Sequence, residues 1–252
     1  MAAKDRLIAI KEKLRADNKV VVTELSNQFQ VTEETIRRDL DKLENEGFLT
    51  RTFGGAVLNE TSQREGVHFY QRAAIHLAEK KKMAESFSEI LSTKMTIAAD
   101  ASSTVMEALK LLRDSSEITV LTTSTEVFRE LAHSNINVIS TGGTFNKSSL
   151  SLRGQIAKDN IKKYHVDILL ISCKGVDLEK GVTDSNEGEA IVKKVMVGQA
   201  SEVALFADHH KLNKTAFTHL LDLKEIDYLV TDQKPDDEWV RFCEENHIRL
   251  VY

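Results

Sequence analysis

The sequence predicts an α/β protein in two parts: a small N-terminal module and a larger C-terminal domain with a mostly parallel sheet. Two observations predict this. In residues 1–58, apolar side chains recur at helical spacing and two short strand-like runs follow around a glycine pair. From residue 76 onward, short β-rich runs alternate with helical stretches, which is typical of a sheet covered on both faces.

The composition is that of an ordinary globular protein. The chain has 252 residues, 41% hydrophobic and 29% charged, which allows one large or two modest domains. No apolar run approaches the ~20 residues of a membrane-spanning helix, and the N-terminus does not resemble a signal peptide. Cys173 and Cys243 are too few and too far apart for a disulfide framework or a zinc site. We therefore expect a cytoplasmic protein with no membrane segment, no metal ion and no cofactor.

Two helices are predicted first. Leu7, Ile10 and Leu14 recur at i, i+3 and i+7, so residues 4–16 form an amphipathic helix. Residues 22–29 form a second, short helix that a tight connection joins to a third.

The third helix has clear start and stop signals. Thr32 is a good N-cap, Glu33 and Glu34 suit the positive end of the helix dipole, and Gly47 is expected to end the helix. Its buried stripe is Ile36, Leu40 and Leu43. The residues left facing water are Thr35, Arg38, Asp39 and Lys42, flanked by Arg37.

The segment that follows, FLTRTFGGAVL, predicts a hairpin around Gly54 and Gly55. Two short helices with a tight turn, exposed arginines on the second and a hairpin behind it describe a winged helix-turn-helix. Its third helix would enter the major groove of DNA, and Arg51 and Thr52 on the wing would hold phosphates.

Charge argues against this interpretation at first. Residues 1–58 hold ten Lys/Arg and ten Asp/Glu, whereas a nucleic-acid-binding domain is expected to be strongly basic. The surface facing DNA is basic only if Asp41, Glu44 and Glu46 lie on other faces of the helix. The alternative is that Arg37 and Arg38 are solvated partners of nearby acids.

Residues 59–75 contain few aliphatic side chains and are predicted to be a linker, which leaves residues 76–252 as the second domain. A helix begins this domain, and its Lys80-Lys81-Lys82 run is expected to be solvated. The predicted strands are residues 95–99, 118–122, 137–140, 168–172, 203–207, 228–231 and 248–252. The predicted helices are residues 103–112, 125–133, 187–200 and 236–246.

Polar residues follow several of these strands, and ligands of open parallel sheets bind beyond the carboxyl ends of strands. Hydroxyl groups at the start of a helix suit a phosphate, although simple N-capping is the more common role of such residues. His209 and His210 have no third ligand at metal-binding spacing. The strand-end candidates are Asp100, Ser102, Ser103, Thr104, Thr122, Thr123, Ser124, Gly142, Gly143, Cys173, Lys174, Gly175, Asp208 and Lys211.

Both parts resemble the DeoR family of bacterial transcriptional regulators. The first does so through VTELSNQFQVTEETIRRDLDKLENEGFLTRTFGGAV. The second does so through DASST, TTS, TGGTF, SLRG, SCKGVD, GVTDSNEGEA, ADHHKLNKTAF and IDYLVTD, in that order. The resemblance implies a sensor domain similar in fold to ribose-5-phosphate isomerase, which binds phosphorylated sugars, and a role in repressing sugar-catabolism operons. DASST, SCKG and DSNE together resemble the branch that governs fucose or rhamnose operons, which implies a 6-deoxyketose 1-phosphate as effector.

The resemblance also implies roles for individual residues. Contacts to operator DNA fall to Thr32, Thr35, Arg37, Arg38, Lys42, Arg51, Gly54 and Gly55. The effector phosphate is expected near Ser102, Ser103, Thr104, Thr123 and Ser124. The rest of the pocket would be lined by Gly143, Lys174 and Lys211, with Asp100, Asp184 and Glu187 available to sugar hydroxyls.

The leading hypothesis is therefore a regulator that binds double-stranded operator DNA and a phosphorylated sugar. We expect a homo-oligomer, either a dimer or a tetramer, because two recognition helices must reach successive major grooves. The alternative is a sugar-phosphate isomerase, in which Asp184 or Glu187 would be the carboxylate base. The N-terminal module argues against that alternative, because an isomerase has no use for it.

Overall fold

The computed structural model describes residues 3–17, 19–45, 48–52, 54–58 and 69–252. Its contacts divide the chain into a small N-terminal unit, which also takes in Tyr70–His76, and a large unit over Leu77–Tyr252. None of the described helices is long and apolar enough to cross a membrane.

The described residues between 3 and 58, which make up most of the small unit, form three helices and a three-stranded antiparallel sheet in the order β1-β3-β2. In chain order its elements are α1 (Ala3–Asp17), β1 (Lys19–Val21), α2 (Val22–Phe29), α3 (Glu33–Asn45), β2 (Leu49–Thr52) and β3 (Gly55–Leu58). The three predicted helices and the hairpin are confirmed. The sequence prediction missed β1, which is only three residues long.

The apolar stripe predicted for α3 is the centre of this unit. Ile36, Leu40 and Leu43 are fully buried, together with Ile10 and Leu25 from the other two helices. Side chains at these helical spacings lie on one face, which explains why the three helices pack around a single core.

Two further expectations for α3 have different outcomes. The predicted cap is present, because the backbone N–H of Thr35 donates to Thr32 Oγ1 at 3.3 Å. Asp39 was predicted to face water, and that prediction was wrong. Its side chain is 4% exposed and accepts a hydrogen bond from Arg6 Nε of α1 at 2.5 Å. Gly47 and Glu46 lie outside the described residues.

The large unit contains a seven-stranded sheet, a three-stranded antiparallel sheet and a hairpin. Its helices are α5 (Leu77–Ser92), α6 (Ser103–Lys110), α7 (Thr125–Glu130), α8 (Gln155–Ile161), α9 (Glu187–Val197) and α10 (Asp237–Glu245), whereas helix α4 (Phe69–Ala74) lies almost wholly in the segment Tyr70–His76 of the small unit. Its strands are β4 (Thr96–Ala99), β5 (Thr119–Thr122), β6 (Asn137–Ser140), β7 (Thr144–Asn146), β8 (Ser151–Arg153), β9 (Val166–Ser172), β10 (Gly175–Asp177), β11 (Gly181–Asp184), β12 (Ala200–Phe206), β13 (Thr218–Leu221), β14 (Tyr228–Val230) and β15 (Arg249–Val251).

The seven predicted strands are the seven strands of the main sheet, and every pairing in it is parallel. The prediction missed the hairpin β7-β8, the sheet β10-β11-β13 and helix α8. These missed strands have three or four residues each and contain many polar side chains, so they show no clear period. Helix α4 starts inside the segment predicted as a linker, and residues 59–68 of that segment lie outside the described residues.

The strand order β15-β14-β12-β9-β4-β5-β6 indicates where a ligand would bind to the main sheet. From β4 the chain proceeds to one edge of the sheet through β5 and β6. It then returns to β9 and proceeds to the other edge. The direction therefore reverses between β4 and β9, and the crevice beyond the carboxyl ends of two such strands is where open α/β sheets bind ligands.

Candidate functional site

The exposed side of α3 carries three cations. Arg37, Arg38 and Lys42 are exposed, and the Arg38 side chain keeps 75% of its surface open to water. Thr32 and Thr35 lie at the start of the same helix, and their hydroxyl groups form a hydrogen bond of 3.0 Å with each other. Polar and basic side chains therefore project from the first turns of α3, which are the turns that reach base edges in a helix-turn-helix.

The arginines also have acidic partners within the helix. Arg37 donates to Glu33 Oε2 at 2.7 Å, and Arg38 Nε lies 3.5 Å from Glu34 Oε1. Exposed pairs of this kind contribute only ~0–1 kcal/mol, so a phosphate or a base edge can replace either carboxylate at small cost. Both alternatives from the sequence are thus present in one structure: the arginines project outward, and they are ion-paired in the absence of DNA.

Arg51 on the wing has partners within its own unit. Its guanidinium donates to the Asp41 carboxylate and to the carbonyl oxygen of Arg37, and its backbone N–H donates to Glu44 Oε1 at 2.8 Å. Asp41 and Glu44 were expected on other faces of the helix. Through these hydrogen bonds from Arg51 they hold β2 against α3. This geometry gives Arg51 the role of holding the wing in place.

The remaining wing residues differ in exposure. Thr52 and Gly54 are exposed, and Gly54 has a φ of +81°, which suits a hairpin turn. Gly55 is buried, and a Cβ there would lie 2.1 Å from the carbonyl oxygen of Val20. Gly55 is therefore required by the close approach of β1 and β3, while Thr52 and Gly54 stay accessible to a duplex.

In the large unit, Lys193 of α9 lies at the centre of the switch point. Its Nζ donates to Asp184 Oδ2 at 2.7 Å and to the carbonyl oxygen of Ser172 at 2.7 Å, and it lies 3.0 Å from Asp100 Oδ2. All three groups stand at the carboxyl ends of strands β4, β9 and β11. One buried ammonium group therefore joins three strand ends.

These charges shift one another's pKa. Burial pushes the pKa of Asp184 upward, but the Lys193 ammonium and its hydrogen bond outweigh burial, so the pKa falls below the ordinary value. Burial pushes the pKa of Lys193 downward, but the carboxylates of Asp100, Asp184 and Glu189 outweigh it, so the pKa rises. Asp184 and Lys193 are therefore both charged at neutral pH.

Asp100 was predicted to meet sugar hydroxyls, but its oxygens already have partners. Oδ1 accepts from the backbone N–H of Ser102 at 2.9 Å, and Oδ2 accepts from the N–H of Ser172 at 3.1 Å. The residue is 1% exposed. Its role in this structure is to fix the loop that follows β4 against the end of β9.

The hydroxyl groups at the start of α6 have distinct environments. Ser102 caps the helix by accepting from the N–H of Val105 at 3.1 Å, and Thr104 is buried. Ser103 Oγ accepts from Lys80 Nζ at 3.2 Å. The expectation that the whole lysine run is solvated was wrong for Lys80, which is 5% exposed, because helical spacing turns it inward while Lys81 and Lys82 stay exposed.

The end of β5 contributes a buried hydroxyl group with open bonding capacity. Thr123 and Ser124 follow this strand and are 5% and 1% exposed. Ser124 Oγ has no hydrogen-bond partner among the described residues. A buried hydroxyl without a partner costs free energy, so a ligand atom that bonds to it gains affinity.

A narrow cleft opens beside these strand ends, with a volume of about 10 Å³, which is room for about one water molecule. Arg153 and Glu189 are its partly exposed charged groups, and Glu189 Oε1 accepts from Ser151 Oγ at 3.1 Å. Six of its lining residues are Ala101, Thr123, Ser151, Arg153, Glu189 and Lys193.

Three other predicted site residues lie near the switch point or on the elements that border it. Lys211 is near the switch point, because its Nζ donates to Ser172 Oγ at 3.0 Å and lies 3.4 Å from Asp208. Lys174 follows β9 and is half-buried, whereas Glu187 is exposed at the start of α9.

Gly142 and Gly143 follow the edge strand β6, three strands away from β9. A Cβ on Gly143 would lie 2.5 Å from the carbonyl oxygen of Arg153. This glycine therefore permits the close packing of the β7-β8 hairpin and does not need a ligand to explain it.

Sequence reasoning missed Lys80, Ser151, Arg153, Glu189 and Lys193 as site residues. Lys193 and Glu189 lie within a predicted helix, where an exposed charge is the usual expectation. Arg153 is the last residue of β8, a strand of three residues that is too short to recognise from the sequence. The one available signal was the spacing of Glu189 and Lys193, which are four residues apart and so lie on one face of α9.

Comparison with known proteins decides the family. Residues 75–233 match the DeoR C terminal sensor domain, and residues 6–62 match the DeoR-like helix-turn-helix domain. The chain belongs to the DeoR family. This DeoR-family regulator is 38% identical over 252 residues to the uncharacterized HTH-type transcriptional regulator YulB of Bacillus subtilis (strain 168), which covers 100% of this chain and 97% of YulB.

Two further relatives of the DeoR-family chain have informative names. The HTH-type transcriptional repressor GlcR of Bacillus subtilis (strain 168) is 32% identical, over 100% of this chain and 96% of GlcR. The L-fucose operon activator of Haemophilus influenzae (strain ATCC 51907 / DSM 11121 / KW20 / Rd) is 33% identical, over 92% of this chain and 93% of the activator. The relatives are named as transcriptional regulators, so the DeoR-family chain is a regulator and not an enzyme, and the isomerase alternative is set aside.

Among solved structures, ribose 5-phosphate isomerase of Methanocaldococcus jannaschii aligns with 53% of this DeoR-family chain and 53% of its own. The identity is 17% and the TM-score is 0.40, a similarity too low to support an argument about function.

Proposed function

We propose that this DeoR-family protein represses a sugar-catabolism operon and that a phosphorylated sugar bound at the switch point controls it. The main support is the cleft at the carboxyl ends of β4 and β5. It places a guanidinium group, a carboxylate and buried hydroxyl groups around one opening, which is the set of groups that a phosphorylated polyol requires.

The phosphate end of the ligand is assigned to Arg153 and the hydroxyl groups nearby. A guanidinium group binds two phosphate oxygens at once, and the N-terminus of α6 adds free backbone N–H groups and a positive dipole end. Ser124 Oγ, buried and without a partner among the described residues, offers a further donor. Ser102, Ser103, Thr104 and Thr123 remain proposed phosphate neighbours.

The hydroxyl end of the ligand is assigned to Glu189, with Asp184 behind it. A carboxylate accepts hydrogen bonds from sugar hydroxyls, and Glu189 is only partly buried, so it is open to a ligand. Lys174, Lys211 and Glu187 remain proposed neighbours at the edge of the cleft. Lys193 keeps Asp184 charged and in place, so it acts as a positioning residue.

Among phosphorylated sugars, we propose a 6-deoxyketose 1-phosphate. The motifs DASST, SCKG and DSNE support this choice, and one relative is named as an L-fucose operon activator. The relative named GlcR has almost the same identity, so the thermal-shift measurement is also made with hexose phosphates that keep the 6-hydroxyl group.

We propose that the protein binds operator DNA as a homo-oligomer. Two recognition helices α3 would enter successive major grooves, ~34 Å apart or a multiple of it. Thr32, Thr35, Arg37, Arg38 and Lys42 would contact the duplex. The sugar phosphate shifts the balance between DNA-competent and incompetent arrangements only by the difference in its affinity for the two.

The effector assignment predicts a thermal shift. At a ligand concentration of ~100 Kd the gain is about 2.7 kcal/mol, which raises the melting temperature by about 5–10 °C for a domain of this size. Ketose 1-phosphates are expected to do this and the free sugars are not. Equal shifts from free and phosphorylated sugars would contradict a phosphate site.

The Arg153→Ala variant is expected to weaken sugar-phosphate binding about 10- to 100-fold, because a charge-assisted hydrogen bond contributes ~1.5–3 kcal/mol. Isothermal titration measures this. Arg113→Ala is the control, since Arg113 is paired with Glu130 and does not line the cleft. Operator binding in the absence of sugar should be unchanged in both variants.

The Arg38→Ala variant is expected to weaken binding to the protein's own operator while sugar-phosphate affinity stays the same. A lost base contact costs ~1–3 kcal/mol, and a lost phosphate contact lowers the salt slope by ~1. Fluorescence anisotropy at several salt concentrations separates the two. Lys13→Ala on α1 is the control, and unchanged operator affinity for Arg38→Ala at physiological salt would remove α3 as the recognition helix.

A further inference from the structure

Phe217 is the most exposed apolar side chain among the described residues, at 90%. The loop that presents it is fixed in place. The N–H of Ala216 donates to Thr183 Oγ1 at 2.8 Å, and Trp239 Nε1 donates to Asn213 Oδ1 at 2.8 Å. A phenyl ring held in water by a fixed loop is an aromatic anchor of the kind that is enriched at protein interfaces.

The next residues form β13, which is the open edge of the sheet β10-β11-β13. On one side β13 pairs with β11, and among the described residues no strand lies on its other side. The opposite edge of this sheet is β10, and the backbone of Lys214 covers it at Gly175. A Cβ on Gly175 would lie 2.4 Å from the Lys214 carbonyl oxygen. An unprotected edge strand is a template for pairing with another strand.

A groove lies beside β13 and has a volume of about 170 Å³. Leu220 and Val197 supply apolar lining. Lys194 and Glu225 supply charges of opposite sign, and both residues are exposed.

We propose that a second copy of this chain docks on this surface, with β13 beside its two-fold equivalent and Phe217 of each copy in the groove of the other. Two identical edge strands pair antiparallel about a two-fold axis, which makes the contact isologous and closed. The proposed contact includes an ion pair between Lys194 of one copy and Glu225 of the other, since both residues line the groove that receives Phe217. This surface carries a positive and a negative charge, an exposed phenyl ring and a groove, so it is complementary to a second copy of itself. A strongly charged partner would instead require a surface with charges of one sign.

The surface also adjoins the candidate effector site. Asp184, which is bonded to Lys193, pairs in register with Thr218, the residue after Phe217. Thr183, which holds the Phe217 loop through Ala216, is the residue before Asp184. The strand that supplies a carboxylate to the effector site is thus the direct neighbour of the proposed contact strand.

The first test is sedimentation velocity on the full chain with Phe217→Asp. We expect the mass of the wild-type assembly to fall by a factor of two, and the dissociation constant of the contact to rise at least about tenfold, because truncating an interface anchor commonly costs that much. Phe145→Asp is the matched control, since Phe145 is 46% exposed on hairpin β7-β8 and belongs neither to β13 nor to the lining of the groove. Its mass should equal that of the wild type.

The second test is charge exchange, which does not depend on how Phe217→Asp folds. Lys194→Glu and Glu225→Lys should each weaken the assembly, and the double variant should restore it. A wild-type chain that sediments at 28.3 kDa at micromolar concentration, or a folded Phe217→Asp variant that keeps the wild-type mass, would overturn the proposal. Either result would assign this surface to a different partner or to none.

Discussion

The Lys193→Met variant is expected to lose about 3–5 kcal/mol of unfolding free energy in the large unit. Lys193 is the ammonium partner of two carboxylates, Asp100 and Asp184, which are 1% and 3% exposed. Removing one member of a buried ion cluster leaves uncompensated charge in a low-dielectric site, and this costs more than the cluster itself contributes. Urea denaturation followed by circular dichroism measures the loss.

A control and a pH series separate this cause from simple loss of packing. Lys162→Met replaces an exposed lysine near the end of α8 and should change stability by no more than ~0.5 kcal/mol. In the wild type, the lowered pKa of Asp184 gives stability that is present above the unfolded pKa of ~3.9 and is lost as pH falls through the folded value. In Lys193→Met the Asp184 carboxylate has lost the ammonium group that lowers its pKa and takes up a proton more readily, so the deficit should be largest near pH 7 and should shrink toward pH 4. A deficit that is constant across this range would mean that packing, not charge, was lost.

The Asp39→Ala variant is expected to destabilise the small unit by a similar amount, about 3–5 kcal/mol, and to abolish operator binding. Arg6 is 6% exposed, and its guanidinium would lose the carboxylate that balances it. The same pair fixes α1 against α3, so its loss also removes the support of the recognition helix. Native-state hydrogen exchange on α1 and α3, together with anisotropy on the operator, measures both effects.

The comparison for this variant is Glu12→Ala, which removes an exposed carboxylate from α1. It should change stability by no more than ~0.5 kcal/mol and leave operator binding intact. Sugar-phosphate affinity should be unchanged in Asp39→Ala, because the sensor domain keeps its own core. Retained operator affinity in Asp39→Ala would show that the recognition helix does not depend on the buried pair.

Periodicity was a reliable guide where elements are long or buried on both faces. The seven hydrophobic runs of the main sheet and the three helices of the small unit needed no tertiary information, because burial of one face or of a whole strand imposes the apolar pattern directly. Capping by Thr32 was predictable for the same reason, since it depends on residues three apart.

Asp39 and Lys80 show where the same reasoning was wrong. Each is a charged residue on an amphipathic helix, so water was the default expectation for its side chain. Each is buried beside a partner distant in sequence, Arg6 for Asp39 and Ser103 for Lys80. Such partners are 33 and 23 residues away, and no local pattern reports them.

The sequence by itself determined the two-part architecture, the helix that presents Arg37 and Arg38, and the strand ends that carry Asp100, Ser124 and Lys211. Local spacing encodes these features because each follows from the period of one element. The tertiary structure alone decided that Lys193 joins three strand ends, that Arg153 and Glu189 face one cleft, and that Phe217 stands in water beside an open strand edge. These features depend on which elements become neighbours. That choice is made by the packing of the whole domain and not by any single segment.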